Sequence, residues 1–375
     1  MGSSRGSKVV RRIIVTMLYL LILLCGFTKF GYSDNVESPR KWRDPTVVIA
    51  ILARNKAHTL PFFLTSLENM DYPKSRISLW LRSDHNEDGT LDVLKKWLNA
   101  VQSSYHWANV VLSTSVPNRF PDEKGPAHWS NSRFDNVIRL REEALETARK
   151  LWADYLWFLD CDTFLINNQT LRNLMSKQLT VVAPMLKSDG MYANFWCGMT
   201  DDYYYQRTDE YKPILNRERK GCFDVPMVHS SVLIDLRHEA SLSLSFKPQN
   251  LAGYDGPNDD IIVFAQSVKA SGTTLNVCND EVYGYIMVPL EEQNDIEHDY
   301  DQLTNLKMEI MVDQPPLPVS PLLQEFVPRK PKDKMGVDEV YMINLLRRPE
   351  RRERMNNCFE ELGLMATPLD AVDGR

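Results

Sequence analysis

Short apolar runs alternate with helical stripes of apolar residues along the chain from Thr46 onward. The seven residues Val47–Ala53 have the length of a buried strand, and Thr59–Asn69, with Leu-Pro near its first turn, predicts a helix. The same patterns predict three further elements in this part of the chain: strand Ile77–Arg82, helix Leu91–Val101 and strand Val110–Ser113.

The strongest helical pattern is Phe134–Trp152, which carries a continuous apolar stripe. Tyr155–Leu159 (YLWFL) then predicts a buried strand that ends in an Asp-Cys-Asp sequence. Three later segments complete the pattern: strands Thr180–Pro184 and Met227–Leu236, and helix Asp259–Ala270. This alternation predicts an α/β domain with a mostly parallel sheet, which we place at residues 34–312.

Proline changes the pattern after residue 312. Six prolines fall within residues 313–336, and because this spacing opposes helices and central strands we expect an extended linker there. Glu339–Leu345, Pro349–Leu362 and Thr367–Ala371 then predict a strand, a charged helix and a third element. We interpret residues 337–375 as the N-terminal fragment of a second α/β unit, incomplete in this chain.

The first residues carry a targeting pattern. Lys8, Arg11 and Arg12 precede the apolar run Ile13–Phe27, and a small residue at Ser33 offers a cleavage site. A membrane-spanning helix needs about 20 apolar residues, and this run is shorter. We therefore predict a cleaved signal peptide at residues 1–33 and no stable membrane span, with a retained signal-anchor as the alternative.

Composition excludes some classes of protein. The chain has 375 residues, is 43% hydrophobic and carries a formal net charge of −6, which allows a sizeable core and argues against nucleic-acid binding. Six cysteines are too few for a disulfide-built scaffold, and the sequence leaves their pairing open. In a secreted chain the Asn-Gln-Thr at Asn168 is a glycosylation acceptor, with a merely polar turn as the alternative.

Two carboxylates, Asp160 and Asp162, follow the predicted strand Tyr155–Leu159, at the edge where α/β sheets bind ligands. Side chains two residues apart on an extended backbone point the same way, so these charges repel unless a cation lies between them. Mn²⁺ or Mg²⁺ prefers such oxygen ligands and would take a diphosphate at its remaining positions. A polar turn is the alternative. A second D-x-D, at Asp299, follows no apolar strand, and we expect no function for it.

With these residues in place, the chain resembles the procollagen galactosyltransferases of glycosyltransferase family 25, and through them the GT-A type of glycosyltransferase. The resemblance extends from about residue 46 to the end. The stretches that carry it, in order, are Ile51–His58 (ILARNKAH), Ser83–Asn86 (SDHN), Pro121–Arg133 (PDEKGPAHWSNSR), Trp152–Tyr155 (WADY), Trp157–Thr163 (WFLDCDT), Val181–Met185 (VVAPM), Asn194–Met199 (NFWCGM), Gly221–Asp235 (GCFDVPMVHSSVLID), Asp259–Ala265 (DDIIVFA) and Lys334–Asn344 (KMGVDEVYMIN). It implies a GT-A-like, Rossmann-type nucleotide-sugar-binding domain.

The resemblance implies transfer of galactose from UDP-galactose to hydroxylysine of collagen or collagen-like chains, with Mn²⁺, in the endoplasmic reticulum lumen. Two alternatives stay open: a glucosyltransferase on the same scaffold, and a catalytically inactive relative that acts as a secreted or cell-surface binding or adhesion protein. The sequence departs from the family twice. The second domain is only a fragment without its acidic motif, and the chain ends in VDGR, not a KDEL-type retention signal, which leaves secretion open.

The resemblance also implies roles for single residues. An inverting transfer requires a general base, and Asp260, or Asp259 beside it, occupies the position of that base, with helix capping as the alternative. Six residues are expected to bind the nucleotide sugar: Arg54, Asn55, Asp84, Arg133, Asp160 and Trp196. Asp160, Asp162 and His229 are the expected metal ligands, although a buried histidine held by protein groups is the alternative for His229.

Overall fold

The computed structural model describes residues 43–372, so the predicted signal peptide lies outside the described residues. The strands are β1 Val47–Ala53, β2 Ile77–Ser83, β3 Trp107–Leu112, β4 Tyr155–Asp160, β5 Thr163–Leu165, β6 Val181–Pro184, β7 Leu186–Lys187, β8 Phe195–Trp196, β9 Cys222–Val225, β10 Met227–Val228, β11 Ser231–Asp235, β12 Leu275–Cys278, β13 Gly284–Ile286, β14 Tyr341–Asn344 and β15 Thr367–Asp370. The α-helices are α1 Leu60–Glu68, α2 Thr90–Val101, α3 Asn131–Lys150, α4 Thr170–Ser176, α5 Tyr211–Leu215, α6 Asp260–Ala270, α7 Ile296–Asp313 and α8 Pro349–Leu362.

Eight strands form the central sheet, in the order β3-β2-β1-β4-β11-β6-β12-β9. Strands β3, β2, β1 and β4 run parallel, and β6 and β12 also pair in parallel, whereas β11 is antiparallel to both of its neighbours. The predicted class, a GT-A-like α/β fold with a mostly parallel sheet, is confirmed. Its parallel half brings the carboxyl ends of β2, β1 and β4 to one edge.

The central strands are buried on both faces, which explains their unbroken apolar sequences. Val47, Ile49 and Ile51 of β1 pack in a cluster with α1 and α2. Val48 and Ala50, which point the other way, pack in a second cluster with α3 and α6. This two-sided burial fixes the ends of β1 and β4, and with them the loops that carry the polar residues.

The prediction of one strand over Met227–Leu236 is wrong, because the segment is broken at His229 and Ser230. Ser230 has a φ of +64°, a left-handed conformation that interrupts an extended strand. β10 before the break pairs with β8, and β11 after it pairs with β4 and β6. The kink therefore transfers the chain between two sheets and places His229 between them.

The proline-rich segment was predicted to be extended, but part of it is helical. Pro321–Phe326 forms a 3₁₀ helix that packs against α1 and α2, and Leu323 is fully buried there. The backbone N–H of Ser320 donates to Thr65 Oγ1 at 2.8 Å. Proline suits the first position of a short helix, and the apolar residues behind it dock the segment on the domain.

The last elements form a small unit at the positions that the sequence indicated. β14 and β15 pair in parallel as a separate two-stranded sheet, with α8 between them in sequence. An ion pair between Lys307 of α7 and Glu361 of α8 links the unit to the preceding helix. Within residues 43–372, we find no helix with the length and apolarity that crossing a membrane requires.

One disulfide joins adjacent strands of the central sheet, between Cys222 of β9 and Cys278 of β12. Cys161, Cys197 and Cys358 are free thiols. Asn168, the predicted glycosylation acceptor, is exposed in the turn before α4, so it is accessible, and its modification stays a prediction.

Candidate functional site

A pocket of about 160 Å³ lies at the carboxyl edge of the parallel strands. The loops after β1, β2 and β4 form its walls together with α3, whose N-cap Ser130 accepts a hydrogen bond from the backbone N–H of Arg133. The charged and amide residues that line the pocket are Arg54, Lys56, Arg82, Asp84, Arg133, Asn136, Arg141, Asp160 and Asp162. Four of the predicted donor-binding residues, and both predicted metal aspartates, therefore share one pocket.

Arg141 of α3 bridges two carboxylates at this edge. Its Nη2 donates to Asp160 Oδ1 at 3.2 Å, and its Nε lies 2.5 Å from Asp260 Oδ2. Asp260, at the start of α6, is almost completely buried, and burial raises the pKa of its carboxyl although Arg141 opposes the shift. One buried guanidinium thus joins a predicted metal ligand to the predicted base.

Lys56 links the other aspartate of the pair to a residue for which no role was expected. Its Nζ lies 3.5 Å from Asp162 Oδ2 and 3.1 Å from Asp299 Oδ2, and His58 Nε2 lies 3.1 Å from the same Asp299 oxygen. Although burial works against the charged form, Lys56 and His58 lower the pKa of Asp299 to about 2. The second D-x-D therefore does contribute to the site, through a buried ion pair that positions Lys56.

Asp162 has a donor atom suited to a cation. Its Oδ1 is buried and has no hydrogen-bond partner among residues 43–372, and burial raises the pKa of the carboxyl in spite of Lys56. A hard divalent ion fits an unpaired buried carboxylate oxygen of this kind. Asp160, the second oxygen ligand, would have to share its carboxylate with Arg141.

The structure does not bring His229 into a compact set with Asp160 and Asp162. Over the described part of the chain, the three ligand atoms that do lie within 4.8 Å of one another belong to Cys222, Cys278 and Asp280, and these cysteines form the disulfide.

His229 is instead held by protein groups. Its Nδ1 lies 2.8 Å from Ser230 Oγ and its Nε2 lies 3.5 Å from Tyr192 Oη. Burial lowers the pKa of His229 to about 4, against the effect of Asp162, so its ring is neutral at physiological pH. Its role as a metal ligand stays a prediction.

Asp259 and Asp260 differ in what their carboxylates do. Asp259 is the N-cap of α6, and its Oδ1 accepts hydrogen bonds from the backbone N–H groups of Ile261 and Ile262 at 2.9 and 3.2 Å. Asp260 points to Arg141 instead. Of the two candidate bases, the geometry favours Asp260.

Arg54 and Arg133 line the pocket and are both held by protein groups. Arg54 forms a two-pronged ion pair with Glu123, 2.8 Å from Nη1 to Oε1 and 2.7 Å from Nη2 to Oε2. Arg133 donates to two carbonyl oxygens of the preceding loop, and its guanidinium lies 4.2 Å from the ring centroid of Trp129. Burial and the nearby Arg54 lower the pKa of Arg133 to about 10, so it stays cationic at neutral pH.

The remaining donor-binding candidates lie at different depths. Asp84 accepts a hydrogen bond from Asn136 Nδ2 at 3.2 Å and lies 2.9 Å from His85 Nδ1, at the pocket wall. Asn55 is buried with a φ of +54° and ties the loop after β1 to the loop after β2, outside the pocket lining. Trp196 lines a separate cavity of about 410 Å³, so its stacking on a sugar stays a prediction.

The sequence prediction missed several charged residues of the site, among them Lys56, Arg141 and Glu123. Lys56 lies within the Ile51–His58 stretch and Glu123 within the Pro121–Arg133 stretch, both of which carried the family resemblance. Arg141 lies within a long helix, one residue after the apolar stripe position Leu140. A basic residue at the edge of an apolar stripe was the available signal for Arg141.

The mostly parallel sheet, with carboxylates where β4 ends, fits the predicted GT-A-like class. The sequence profile of the "Glycosyltransferase family 25, N-terminal domain" matches residues 44–307. The chain belongs to glycosyltransferase family 25. A glycosyltransferase 25 family member of Aedes aegypti is 50% identical over 363 residues, which cover 96% of this chain and 59% of that protein.

Procollagen galactosyltransferase 2 of Homo sapiens is 48% identical over 339 residues, which cover 90% of this chain and 53% of that protein. The chain thus spans less than two thirds of the length of these relatives. Among solved structures, S. aureus TarS 1-349 in complex with UDP-GlcNAc is 13% identical with a TM-score of 0.40, covering 75% of this chain and 71% of that one.

Proposed function

We propose that this chain forms the transferase domain of a metal-dependent, inverting galactosyltransferase that moves galactose from UDP-galactose to hydroxylysine of collagen-like proteins. The observation that carries the proposal is the Arg141 bridge, which joins Asp160 of the pocket lining to the buried Asp260. Relatives named procollagen galactosyltransferase support the choice of donor and acceptor.

Cationic side chains around the pocket suit a nucleoside diphosphate. Arg133 and Lys56 lie on its wall near Asp160 and Asp162. These two aspartates would hold Mn²⁺ (or Mg²⁺), which supplies positive charge to the diphosphate as UDP leaves. Trp129, whose exposed ring lies at the same pocket, offers a flat surface for the base.

The transfer itself needs one base and one displacement. The hydroxyl oxygen of hydroxylysine bonds to the anomeric carbon of galactose, the bond from that carbon to the diphosphate oxygen breaks, and the hydroxyl proton passes to Asp260. Burial raises the pKa of Asp260, which makes its carboxylate a better proton acceptor, and Arg141 fixes its orientation. Asp259 serves by capping α6.

We place this reaction in the endoplasmic reticulum lumen. The signal-peptide pattern of residues 1–33 supports entry into the secretory pathway. The disulfide between Cys222 and Cys278 also supports an oxidising compartment.

Thermal melts with UDP-galactose, with and without Mn²⁺, test the donor site. At a ligand concentration of 100 Kd, binding adds about 2.7 kcal/mol, which for a protein of this size raises Tm by roughly 3–4 °C. We expect this shift in the wild type and its loss in Asp162→Ala. Asp301→Ala, in the exposed part of the second D-x-D, is the matched control and should keep it. No metal-dependent shift in the wild type would refute the enzymatic proposal.

Incorporation of labelled galactose into a hydroxylysine peptide tests the acceptor, with UDP-glucose in parallel. If only UDP-glucose supports transfer, the proposed activity is that of a glucosyltransferase and not of a galactosyltransferase. A Mn²⁺-dependent shift retained in Asp162→Ala would overturn only the metal-site assignment. Donor binding without transfer to any hydroxylysine peptide would favour an inactive binding protein.

A further inference from the structure

A second cavity, which we call the aromatic groove, has no role in the transfer described above. It encloses about 410 Å³ beside β8 and α5. Five of its eleven lining residues are aromatic: Tyr192, Phe195, Trp196, Tyr205 and Tyr211. This density of rings indicates a surface built to contact an apolar ligand.

The rings of the groove are fixed at steep angles to one another. Tyr205 stands at 67° to Trp196 with centroids 5.6 Å apart, and at 76° to Tyr211 with centroids 6.3 Å apart. Tyr211 is buried and donates its hydroxyl to the carbonyl oxygen of Met191 at 2.6 Å, so it forms a rigid floor. Tyr205 is 39% exposed and forms the accessible wall.

Tyr192 and His229 connect the groove with the carboxylate site. The ring of Tyr192 lines the groove, and its hydroxyl lies 3.5 Å from His229 Nε2. The residue after His229, Ser230, accepts a hydrogen bond at its carbonyl oxygen from the backbone N–H of Asp160 at 2.8 Å. The groove therefore lies next to the carboxylate site, with Tyr192 and His229 between the two.

Aromatic grooves recognise proline-containing chains, because proline rings pack on aromatic faces and the polyproline II helix is already ordered. Collagen-like chains have this conformation, with glycine at every third position. Asp209 in the lining can pair with the ammonium group of hydroxylysine, but Arg207 and Lys212 give the groove a net positive charge. The aromatic faces, and not charge, therefore select the ligand.

We propose that the aromatic groove binds a proline of the acceptor chain, close to the hydroxylysine, with that chain as a single polyproline II strand. The proposal rests on the proposed function, because that function supplies the acceptor. It assigns Tyr205 to acceptor recognition and separates this surface from the donor pocket.

Calorimetric titration without UDP-galactose tests the groove by itself. The probes are two short single-stranded hydroxylysine peptides, one with prolines beside the hydroxylysine and one with alanines there. We expect the wild type to bind the proline peptide about tenfold more tightly. Tyr205→Ala should lose this preference and Tyr205→Phe should keep it. Tyr204→Ala, a neighbour that is 73% exposed and outside the groove, should also keep it.

The metal-dependent UDP-galactose shift serves as the folding check and should be unchanged in all three variants. A proline preference that survives in Tyr205→Ala would overturn the proposal, as would displacement of the peptide by methyl galactoside, which would make the groove a sugar site. The titration contains no donor, so its result does not depend on transfer. A proline preference in the titration, without galactose transfer in the separate assay, would refute the proposed function and leave the groove assignment standing. Transfer without any proline preference would do the reverse.

Discussion

Replacing Arg141 by methionine tests the ionic bridge between Asp160 and Asp260. Methionine keeps much of the apolar stem and removes the cation. The Asp260 side chain is 4% exposed, so its charge gains little hydration when Arg141 is lost, whereas Asp160 is 27% exposed and can be solvated. Removing one partner of a buried ion pair costs about 3–5 kcal/mol, and we expect about 3 kcal/mol because one carboxylate recovers water.

Thermal melts of the wild type, Arg141→Met, Asp260→Asn and the double variant measure this effect. A loss of about 3 kcal/mol lowers Tm by roughly 4 °C in a protein of this size. Asp260→Asn removes the stranded charge, so the double variant should be about 2 kcal/mol more stable than the sum of the single losses predicts. This coupling is the signature of a buried pair.

Arg139→Met is the matched control, on the same helix and two residues earlier. Its guanidinium is 60% exposed and pairs with Glu143 at 3.4 Å, so its loss should change stability by no more than about 0.5 kcal/mol. If Arg141→Met loses less than about 1 kcal/mol, or if the double variant is simply additive, the bridge does not stabilise the fold as argued.

Three further predictions concern stability. The pKa of Asp299 is lowered to about 2 in the folded protein, below its unfolded value of about 3.9. Its carboxylate therefore contributes fully to folding stability above about pH 4, and this contribution is lost as the pH falls toward 2. Asp299→Asn should make Tm less dependent on pH across that interval. Cys222→Ser with Cys278→Ser opens a link between residues 56 positions apart and should lower stability by about 4 kcal/mol in urea unfolding. A Cβ at Gly284 would lie 2.2 Å from a carbonyl oxygen of β5, so Gly284→Ala should lose about 2–3 kcal/mol in the same assay, whereas Gly190→Ala, with nothing within 4 Å, should be neutral.

The central strands were predictable because both of their faces are buried. β1 and β4 are unbroken apolar runs, and the predicted bounds agree with the observed ones to within a residue. Helix α7 was missed, although its buried residues Leu303, Leu306 and Ile310 fall at helical spacing. Its N-cap, Asp295, which accepts from the backbone N–H of His298 at 3.1 Å, was a readable start signal.

The carboxylates of the site were also predictable, because strand ends and helix starts are local features of a sequence. Their cationic partners were not: Lys56 and Asp299 are separated by 243 positions, and no local pattern connects them. The repulsion between Asp160 and Asp162 predicted one metal ion between them. The fold also provides each of them with a protein cation, Arg141 for Asp160 and Lys56 for Asp162.

The docked 3₁₀ helix Pro321–Phe326 changes where the transferase domain ends. A fragment that ends at residue 312, or at residue 307 where the family match stops, would lack Leu323, which packs on α1 and α2. The apolar surface of these helices would then be exposed, which favours self-association. Because α1 begins directly after Lys56 and His58, loosening that helix would disturb the residues that hold Asp162 and Asp299. The proline-rich segment thus stabilises α1 and the loop before it, which carries Lys56 and His58. An expression fragment of this domain should therefore extend beyond Phe326.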